Sequence, residues 1–386
     1  MKQESSKRTK RTCHDVLVDI AMICSDSVMY NVRVEKIAKS LTKRYSTVIL
    51  GWNRQDVPRK KIDNYIVKLK LFDLRAPMGK PSLVPYFPLF WLWILFNLFV
   101  IRPQIVYACQ LDTVLPGYIY KLIFRKKLVF DVFDRYAMVN IPKKYLILYS
   151  IVNLLEGLFC KRSDVLITVS EKLQNSFKSL PKSCAIIFNC PEENVANTTK
   201  SPCNNSGRNA LTIVYAGVIV RHRGLENIAA AIKSLDNVEL VTAGRVYHKE
   251  VLDQILKLPN VKYNGIMLPR DALSLERNAD AMFALYDLRI PINNFAKPNK
   301  MFEAMMFGVP LITNLAPEFV NEVGFGILVD YDDINKIKSA IVSLRDNIGL
   351  RDTLGRNGRE AFTQKYNWHQ MEQKLYKIND DLLEQK

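Results

Sequence analysis

Short runs rich in β-branched residues alternate with segments of helical periodicity along the chain. In the first half, Val32–Tyr45 repeats apolar residues at helical spacing, and the runs on either side have the length of buried strands. Strands that alternate with helices predict a parallel sheet, because each parallel connection must cross over the sheet. The predicted strands of this half are Val16–Cys24, Thr47–Gly51, Gln104–Ala108, Lys127–Asp131 and Asp164–Val169.

A second alternating series begins after residues 194–210, which are rich in Asn, Ser, Gly and Pro and have no apolar period. This composition predicts a linker between an N-terminal domain, residues 1–193, and a C-terminal domain, residues 211–366. Apolar positions at helical spacing predict a final helix over residues 367–386. The predicted C-terminal strands are Leu211–Ala216, Val238–Ala243, Val261–Tyr263, Ala281–Leu285 and Val309–Thr313, with a helix at Leu225–Leu235. The fold class is therefore α/β, with two Rossmann-like domains.

Residues 83–101 form an uncharged, strongly apolar segment of 19 residues. A helix that crossed a bilayer here would separate strands that should pair in one sheet. Pro85 and Pro88 also confine an unbroken helix to about Leu89–Ile101, which is too short to span. Two interpretations of this segment remain: a helix that lies in the membrane interface, or a helix that covers the sheet. The aromatic residues favour the interface.

Charge is distributed unevenly along the 386 residues. Residues 1–200 contain 32 Lys and Arg against 16 Asp and Glu, whereas residues 201–386 contain 23 against 22. The basic first half indicates an anionic partner, and we expect an acidic membrane surface rather than nucleic acid, because no nucleic-acid motif occurs. Seven scattered cysteines without a C-x-x-C pair, and no visible signal peptide, lead us to expect a cytoplasmic protein peripherally associated with the inner face of the membrane.

Five motifs occur in the order typical of one enzyme family. Each is weak alone, but their order over roughly residues 100–370 resembles the GT-B glycosyltransferases of family four, also called glycosyl transferases group 1. The resemblance implies two Rossmann-like domains that face each other across a cleft, with the final helix crossing back onto the N-terminal domain. The motifs are Gln104–Gly117 with Lys127–Asp134, Ser163–Ser170, Phe188–Pro191, Val214–Gly217 with Arg223 and Gly224, and Lys297–Pro310.

The resemblance also implies a nucleotide-sugar donor in the C-terminal domain. Transfer breaks the bond between the anomeric carbon and a diphosphate, so the site must stabilise negative charge on the departing phosphate. Arg221 and Arg223 precede a predicted helix, whose N-terminus favours an anion. By resemblance, Lys300 would contact the phosphates and Glu303 would accept hydrogen bonds from the ribose. The expected donor-binding residues are Gly217, Arg221, Arg223, Asn294, Lys300 and Glu303.

Two departures from the family concern the sugar and the acceptor. Phe295 stands where the family usually has a second glutamate, so Asn293 and Asn294 are candidates for the sugar contacts. Near the acceptor, Gln110 and Phe133 stand where loop histidines are common.

An inverting enzyme would need a general base, and Asp112, Asp131 and Asp134 are the carboxylates of these loops. The resemblance favours retention, in which the departing phosphate takes the acceptor proton and Asp134 orients the acceptor. The expected catalytic residues are Asp134, Arg223 and Lys300, and the expected acceptor-binding residues are Arg33, Asp112, Asp131 and Asp134.

No Asp-x-Asp motif follows a strand, so we expect neither a metal nor another cofactor. The predicted function is transfer of a sugar from a nucleotide sugar to a membrane-linked glycan or lipid in the synthesis of cell-surface polysaccharide or glycolipid. Two alternatives keep the same fold. One is a catalytically silent nucleotide-sugar-binding or membrane adaptor, and the other is a nucleotide-sugar 2-epimerase.

Overall fold

A computed structural model describes residues 18–26, 31–54, 66–77, 81–142, 144–193 and 210–384. The chain divides into two compact units. The first comprises the described residues of 1–131, 162–165 and 379–386, and the second those of 132–161 and 166–378. The predicted linker, 194–210, lies outside the described residues except for Ala210, and the domain limits drawn from the sequence stay a prediction.

The first sheet has the strand order β3-β2-β1-β4-β5-β6-β7, and its β1–β2, β1–β4, β2–β3 and β4–β5 pairs are parallel. Strands β1, β2 and β4 are fully buried, as their unbroken apolar runs predict. The strands are β1 (Ile20–Cys24), β2 (Thr47–Trp52), β3 (Lys68–Phe72), β4 (Ile105–Cys109), β5 (Lys127–Val132), β6 (Val165–Thr168) and β7 (Ser183–Ile186).

Among the described residues up to Glu193, six α-helices lie between these strands. Helix α1 begins where the Asn31 side chain accepts a hydrogen bond from the Val34 amide at 3.2 Å, which caps the helix N-terminus. The helices are α1 (Val32–Thr42), α2 (Phe87–Ile101), α3 (Leu111–Phe124), α4 (Tyr136–Asn140), α5 (Leu146–Arg162) and α6 (Glu171–Asn175), and a 3₁₀-helix, Pro81–Tyr86, precedes α2.

Helix α2 contains the apolar segment singled out in the sequence. The stretch Ser82–Ile101 is long and apolar enough to cross a membrane, with a mean hydropathy of 1.9. Strand β3 before it and strand β4 after it nevertheless lie in one sheet, so the chain enters and leaves this segment on the same side. One face of the helix is buried, and Trp52 of β2 stacks on Phe90 with ring centroids 4.7 Å apart.

The second unit contains a six-stranded parallel sheet with the order β10-β9-β8-β11-β12-β13. Both sheets place the first strand of the series at the crossover point, as in Rossmann folds, which confirms the predicted fold class. The strands are β8 (Leu211–Ala216), β9 (Val238–Ala243), β10 (Val261–Tyr263), β11 (Ala281–Ala284), β12 (Leu311–Thr313) and β13 (Gly326–Leu328).

Eight α-helices follow within residues 210–384, the last described range of the chain. Apolar residues of the strands and of the helices after them form the buried core of the unit. The last helix groups with both units, since its residues from Asn379 onward belong to the first. The helices are α7 (Leu225–Ile232), α8 (Lys249–Ile255), α9 (Pro269–Arg277), α10 (Asn299–Phe307), α11 (Pro317–Val323), α12 (Ile334–Asp346), α13 (Ile348–Gln364) and α14 (Trp368–Glu384), and a 3₁₀-helix spans Pro291–Phe295.

Candidate functional site

Two glycines shape the turn between β8 and α7. Gly224 has φ +74°, and a Cβ there would lie 2.4 Å from Cβ of Leu285. Gly244 approaches so closely that its Cβ would lie 1.9 Å from the carbonyl oxygen of Gly217. These positions admit glycine alone without displacement of the neighbouring chain. The turn is thereby held against the ends of β9 and β11, and it leads into α7, whose N-cap is Gly224.

Arg223 lies in this turn and contacts an aromatic ring. Its guanidinium carbon is 3.7 Å from the ring centroid of Tyr286, the second residue after β11. Stacking of this kind fixes the plane of a guanidinium while leaving its N–H groups available to an anion. Burial raises the pKa of Tyr286. The expected phosphate-binding arginine is thus held at the N-terminus of α7, where a helix favours negative charge.

Lys300 is buried in the first turn of α10 and reaches the end of β8. Its Nζ donates hydrogen bonds to the carbonyl oxygen of Ala216 and, at 3.1 Å, to Oε1 of Glu276. The same ammonium lies 4.8 Å from the ring centroid of Tyr215. A Cβ on Gly217 would come within 3.4 Å of this nitrogen, so the absence of a side chain at Gly217 makes room for the lysine.

Glu276 was not singled out by any sequence motif. Its carboxyl is buried and hydrogen-bonds to both Lys300 and Glu303. Burial, together with the nearby charge of Glu303, raises the pKa of Glu276 to about 8 against the opposing effect of Lys300. Burial alone would lower the pKa of Lys300, but the two carboxyl groups raise it above its usual value. A charged Lys300 and a protonated Glu276, which hydrogen-bonds to Glu303, therefore lie together in one buried cluster.

Four of the predicted donor residues come together here. Gly217 lies against Lys300, and the charges of Arg223, Lys300 and Glu303 all act on the Tyr286 hydroxyl. Helix α10 begins at Asn299 with Pro298 as its N-cap, and Lys300 and Glu303, three residues apart, lie on one face of it.

Two further predicted donor residues are engaged elsewhere. Arg221 is half exposed and pairs with Glu250 at 3.1 Å. Asn294 lies in the 3₁₀-helix and donates from Nδ2 to the carbonyl oxygens of Leu288 at 2.9 Å and Pro291 at 3.3 Å. Their contact with a donor stays a prediction.

A buried carboxylate organises the loop after β11. Asp287 accepts hydrogen bonds from Nε of Arg289 at 2.8 Å and contacts Nδ1 of His222 at 3.1 Å. These hydrogen bonds hold the pKa of Asp287 below its usual value. Asn293 donates to the Asp287 carbonyl oxygen at 2.8 Å, so this loop is braced from both ends. No role was expected for His222 from the sequence. Its contact with Asp287 helps to hold the loop after β11 in place.

In the first unit, two predicted acceptor residues pair with each other. Arg33 of α1 contacts both carboxylate oxygens of Asp131, at 2.8 Å and 3.3 Å, and both side chains are buried. Burial raises the pKa of Asp131, and the arginine opposes that shift. The pair fastens α1 to β5, and a contact of either residue with an acceptor stays a prediction.

Asp112, at the start of α3, belongs to a second polar group of the first unit. Its Oδ2 accepts a hydrogen bond from the Ser25 hydroxyl, and Arg54 donates to the Ser25 carbonyl oxygen. Burial raises the pKa of Asp112 to about 7. Among the described residues, Oδ1 of Asp112, Oε1 of Gln110 and Nε of Arg54 are buried without a hydrogen-bond partner. Buried polar atoms of this kind need a partner, so this group offers hydrogen bonds to a polar ligand.

Asp134 is exposed in the turn before α4, and the following residue is fixed. Arg135 binds Glu156 at 2.7 Å, and the Tyr136 amide donates to the same carboxylate at 3.0 Å.

No group of three or more His, Cys, Asp or Glu suited to a metal occurs within the parts of the chain that the structure describes. The expectation that no metal is needed stays a prediction, as do the roles of Asp134.

Comparisons with known proteins agree with this geometry. Residues 210–347 match the family model described as "Glycosyl transferases group 1". Two uncharacterized glycosyltransferases of Methanocaldococcus jannaschii, MJ1178 and MJ1069, are each 25% identical, over 57% and 82% of this chain and over 60% and 88% of their own lengths. A capsular polysaccharide biosynthesis glycosyltransferase, CapM of Staphylococcus aureus, is 25% identical over 42% of this chain and 44% of its own.

The fold has matches among solved structures. Anabaena Alr3699/HepE in complex with UDP superposes with a TM-score of 0.73 and 16% identity, over 94% of this chain and 100% of its own. Sucrose-phosphate synthase from Thermosynechococcus elongatus gives a TM-score of 0.74 at 15% identity, over 96% and 100%. The resemblance seen in the sequence is confirmed for residues 210–347, which match glycosyl transferases group 1, and the chain has the GT-B fold.

Proposed function

We propose that the protein transfers a sugar, with retention of configuration, from a nucleoside-diphosphate sugar to a lipid-linked or glycan acceptor at the inner face of the cell membrane. The observation that carries the donor half of this proposal is the cluster of Arg223, Lys300 and Glu303 beside the N-terminus of α7. Two cations and a helix N-terminus suit a diphosphate, and an ionised carboxylate suits the two hydroxyl groups of a ribose. The UDP complex of HepE supports a nucleotide ligand for this fold.

The chemistry follows from what these groups can do. As the bond between the anomeric carbon and the diphosphate oxygen lengthens, negative charge grows on that oxygen, and Arg223 and Lys300 stabilise it. The acceptor hydroxyl attacks the anomeric carbon from the same face, and its proton passes to the departing phosphate oxygen. No protein nucleophile is needed, so the absence of a loop histidine is compatible with turnover. Lys300 must stay charged for this, and Glu276 and Glu303 favour its charged form.

The first unit supplies the candidate acceptor contacts. Within the described part of the chain, Asp112 and Gln110 each have a buried oxygen without a hydrogen-bond partner, and Arg54 has such an N–H. Hydroxyl groups of a glycan could donate to the two oxygens and accept from the arginine. Asp134 is the further acceptor residue that we propose from the family resemblance.

The membrane location rests on helix α2 and on the basic first half. The helix exposes Leu89, Leu92, Phe96 and Val100, which recur at helical spacing on one face. The excess of Lys and Arg lies in residues 1–200, which favours an anionic surface. The likeness to CapM supports a role in surface polysaccharide synthesis.

Turnover distinguishes the enzyme from a silent adaptor of the same fold. Purified protein is incubated with UDP-, GDP-, dTDP- and ADP-sugars labelled in the sugar, together with a lipid extract of the source membranes. We expect label in the lipid fraction with one nucleotide class, and loss of at least about a hundredfold in kcat for Arg223→Ala, which removes a group that acts on the departing phosphate. Donor binding without label transfer would favour the adaptor. Interconversion of the free nucleotide sugar would favour the 2-epimerase.

A further inference from the structure

Helix α5 presents its apolar side chains outward. Ile147, Ile151, Leu154, Leu155 and Leu158 recur at spacings of three and four residues, so they share one face of the helix. All five are exposed, with 80% of the Ile147 side chain and 73% of the Leu154 side chain accessible. A surface helix normally turns such a stripe towards its own core. This face is therefore shaped to meet something other than the rest of its own unit.

The opposite face of α5 is polar in part and is firmly held. Glu156 is fully buried and accepts from Nε of Arg135 at 2.7 Å, while Oδ1 of Asn153 accepts from the same guanidinium at 3.0 Å. Cys160 is buried beside them. Because this ion pair fixes the rotation of the helix, the outward direction of the apolar stripe is built into the fold.

The charges around the stripe have one sign. Glu156 is the helix's acidic residue and points inward, whereas Lys161 and Arg162 at its C-terminal end and Lys144 before its first turn are exposed. Asp164, beyond the C-terminal end, is paired with Lys121 at 2.8 Å. Tyr145, half exposed at the N-terminal end, is a residue type enriched at membrane–water interfaces.

This distribution favours a lipid surface over a second copy of the chain. Two copies of α5 packed about a two-fold axis would bring Lys144 of one against Lys161 and Arg162 of the other, and like charges would face each other. Anionic headgroups neutralise basic residues at both ends and receive the apolar stripe between them. A helix with an apolar face and basic flanks is the pattern of an interfacial anchor.

We propose that α5 is a membrane anchor of this protein, which lies in the interface of an anionic bilayer with Ile147, Ile151, Leu154, Leu155 and Leu158 among the acyl chains. This role is separate from that of α2 and uses different residues. It rests on the proposed function only in the choice of a membrane as the partner, and it requires no statement about the donor.

The test compares two double variants of the full-length protein. Ile147→Ser/Leu154→Ser removes two side chains of the stripe. Ile266→Ser/Leu268→Ser removes the same residue types at positions that are similarly exposed, 73% and 71%, but lie in the loop before α9. Binding to phosphatidylcholine vesicles with and without phosphatidylglycerol is measured by co-sedimentation, and thermal unfolding verifies that both variants fold.

We expect the α5 variant to bind phosphatidylglycerol vesicles at least about tenfold more weakly than the parent, since both substituted positions lose apolar contact with the acyl chains. The loop variant should bind like the parent. Equal binding of both variants overturns the proposal, as does an unchanged vesicle affinity with loss of a dimer in sedimentation velocity. Donor binding is read separately by calorimetry, so failure of the anchor and failure of the proposed function can be told apart.

Discussion

Individual residues of the donor cluster are fixed by neighbours that sequence motifs did not reveal. Lys300 and Glu303 were expected from the family resemblance, but the group that hydrogen-bonds to both is Glu276, which lies 24 positions before Lys300. A single glutamate within the helical segment 269–277 carries no pattern of its own. The turn glycines were visible as Gly217 and Gly224, yet the need for Gly244 depends on the approach of another strand end. Residue identity thus predicted members of the cluster and not the residues that position them.

Gly224 and Gly265 form a matched pair for the role of the turn. Both have positive φ, +74° and +75°, but a Cβ on Gly224 would meet Leu285, whereas one on Gly265 meets nothing within 4 Å. Gly265→Ala should cost about 1 kcal/mol for its backbone conformation. Gly224→Ala should cost a further ~1–3 kcal/mol from overpacking. Calorimetric unfolding of the two variants checks this, and equal losses would show that the turn can yield.

Glu276 should make stability depend on pH. The folded protein holds a proton on Glu276 up to about pH 8, whereas an ordinary glutamate releases it near its usual pKa of 4.5. Between these values the folded state binds more protons than the unfolded state, so stability falls as pH rises through that window. Glu276→Gln keeps a donor for Glu303 and an acceptor for Lys300 without the titration.

Between pH about 5 and about 8, the free energy of unfolding of Glu276→Gln should therefore rise relative to that of the parent by on the order of 2 kcal/mol. Thermal unfolding of both proteins across this range gives the difference directly, since their other titrating groups are shared. Parallel curves would mean that Glu276 is ionised throughout.

The Arg33–Asp131 pair gives a prediction about stability rather than the acceptor. Removal of one partner from a buried ion pair leaves an uncompensated charge, so Asp131→Ala should cost about 3–5 kcal/mol. The double variant Arg33→Met/Asp131→Leu should recover most of this loss. Denaturant titration measures both. If Asp131→Ala is as stable as the parent but loses turnover, the pair acts in acceptor binding instead.

At the scale of elements, alternation of strands and helices predicted most of the strands and their parallel arrangement, because buried parallel strands are continuous apolar runs. Strand β3, Lys68–Phe72, was missed since its lysines interrupt such a run, as suits an edge strand. Helix α5 was not predicted either. Its apolar stripe would be assigned to the core from the sequence pattern, whereas the fold exposes it. Pattern alone does not tell which way an apolar face points.

Helix α2 shows the same lesson in its aromatic residues. They were the reason to expect an interfacial helix, but Phe90 is buried and Trp93 stacks on it with centroids 6.2 Å apart. Trp91 donates from its indole N–H to the Asp112 carbonyl oxygen at 2.7 Å. The exposed face includes Phe96 but not Phe90, Trp91 or Trp93, so substitution of the tryptophans would disturb the fold.

The membrane contact of α2 is better tested with Leu92→Ser/Phe96→Ser, whose side chains are 64% and 66% exposed. We expect vesicle binding to weaken about tenfold and to fall further at high salt, because apolar and electrostatic contributions act together. Co-sedimentation with anionic vesicles measures this. If neither the substitutions nor salt changes the affinity for anionic vesicles, α2 does not contact the membrane.

At the scale of the whole molecule, the charge asymmetry and the two Rossmann-like sheets were visible in the sequence, and the predicted domain limits stay a prediction. Residues 132–161 group with the second unit although they precede the predicted linker. The group 1 match, over residues 210–347, coincides with the part of the chain that holds the donor cluster. Donor binding is thus the property of the whole protein that the structure supports most directly.

The central claim is that Arg223, Lys300 and Glu303 bind a nucleoside-diphosphate sugar. Calorimetric titration of the parent, Glu303→Ala and Arg221→Ala with UDP-, GDP-, dTDP- and ADP-sugars tests it without knowledge of the acceptor. We expect one nucleotide class to bind the parent, with a loss of about tenfold or more in Glu303→Ala, since each hydrogen bond to a charged group contributes about 1.5–3 kcal/mol. A smaller loss is expected for Arg221→Ala, because Arg221 is engaged by Glu250. Unchanged affinity in Glu303→Ala, or no binding of any nucleotide sugar, would contradict the account.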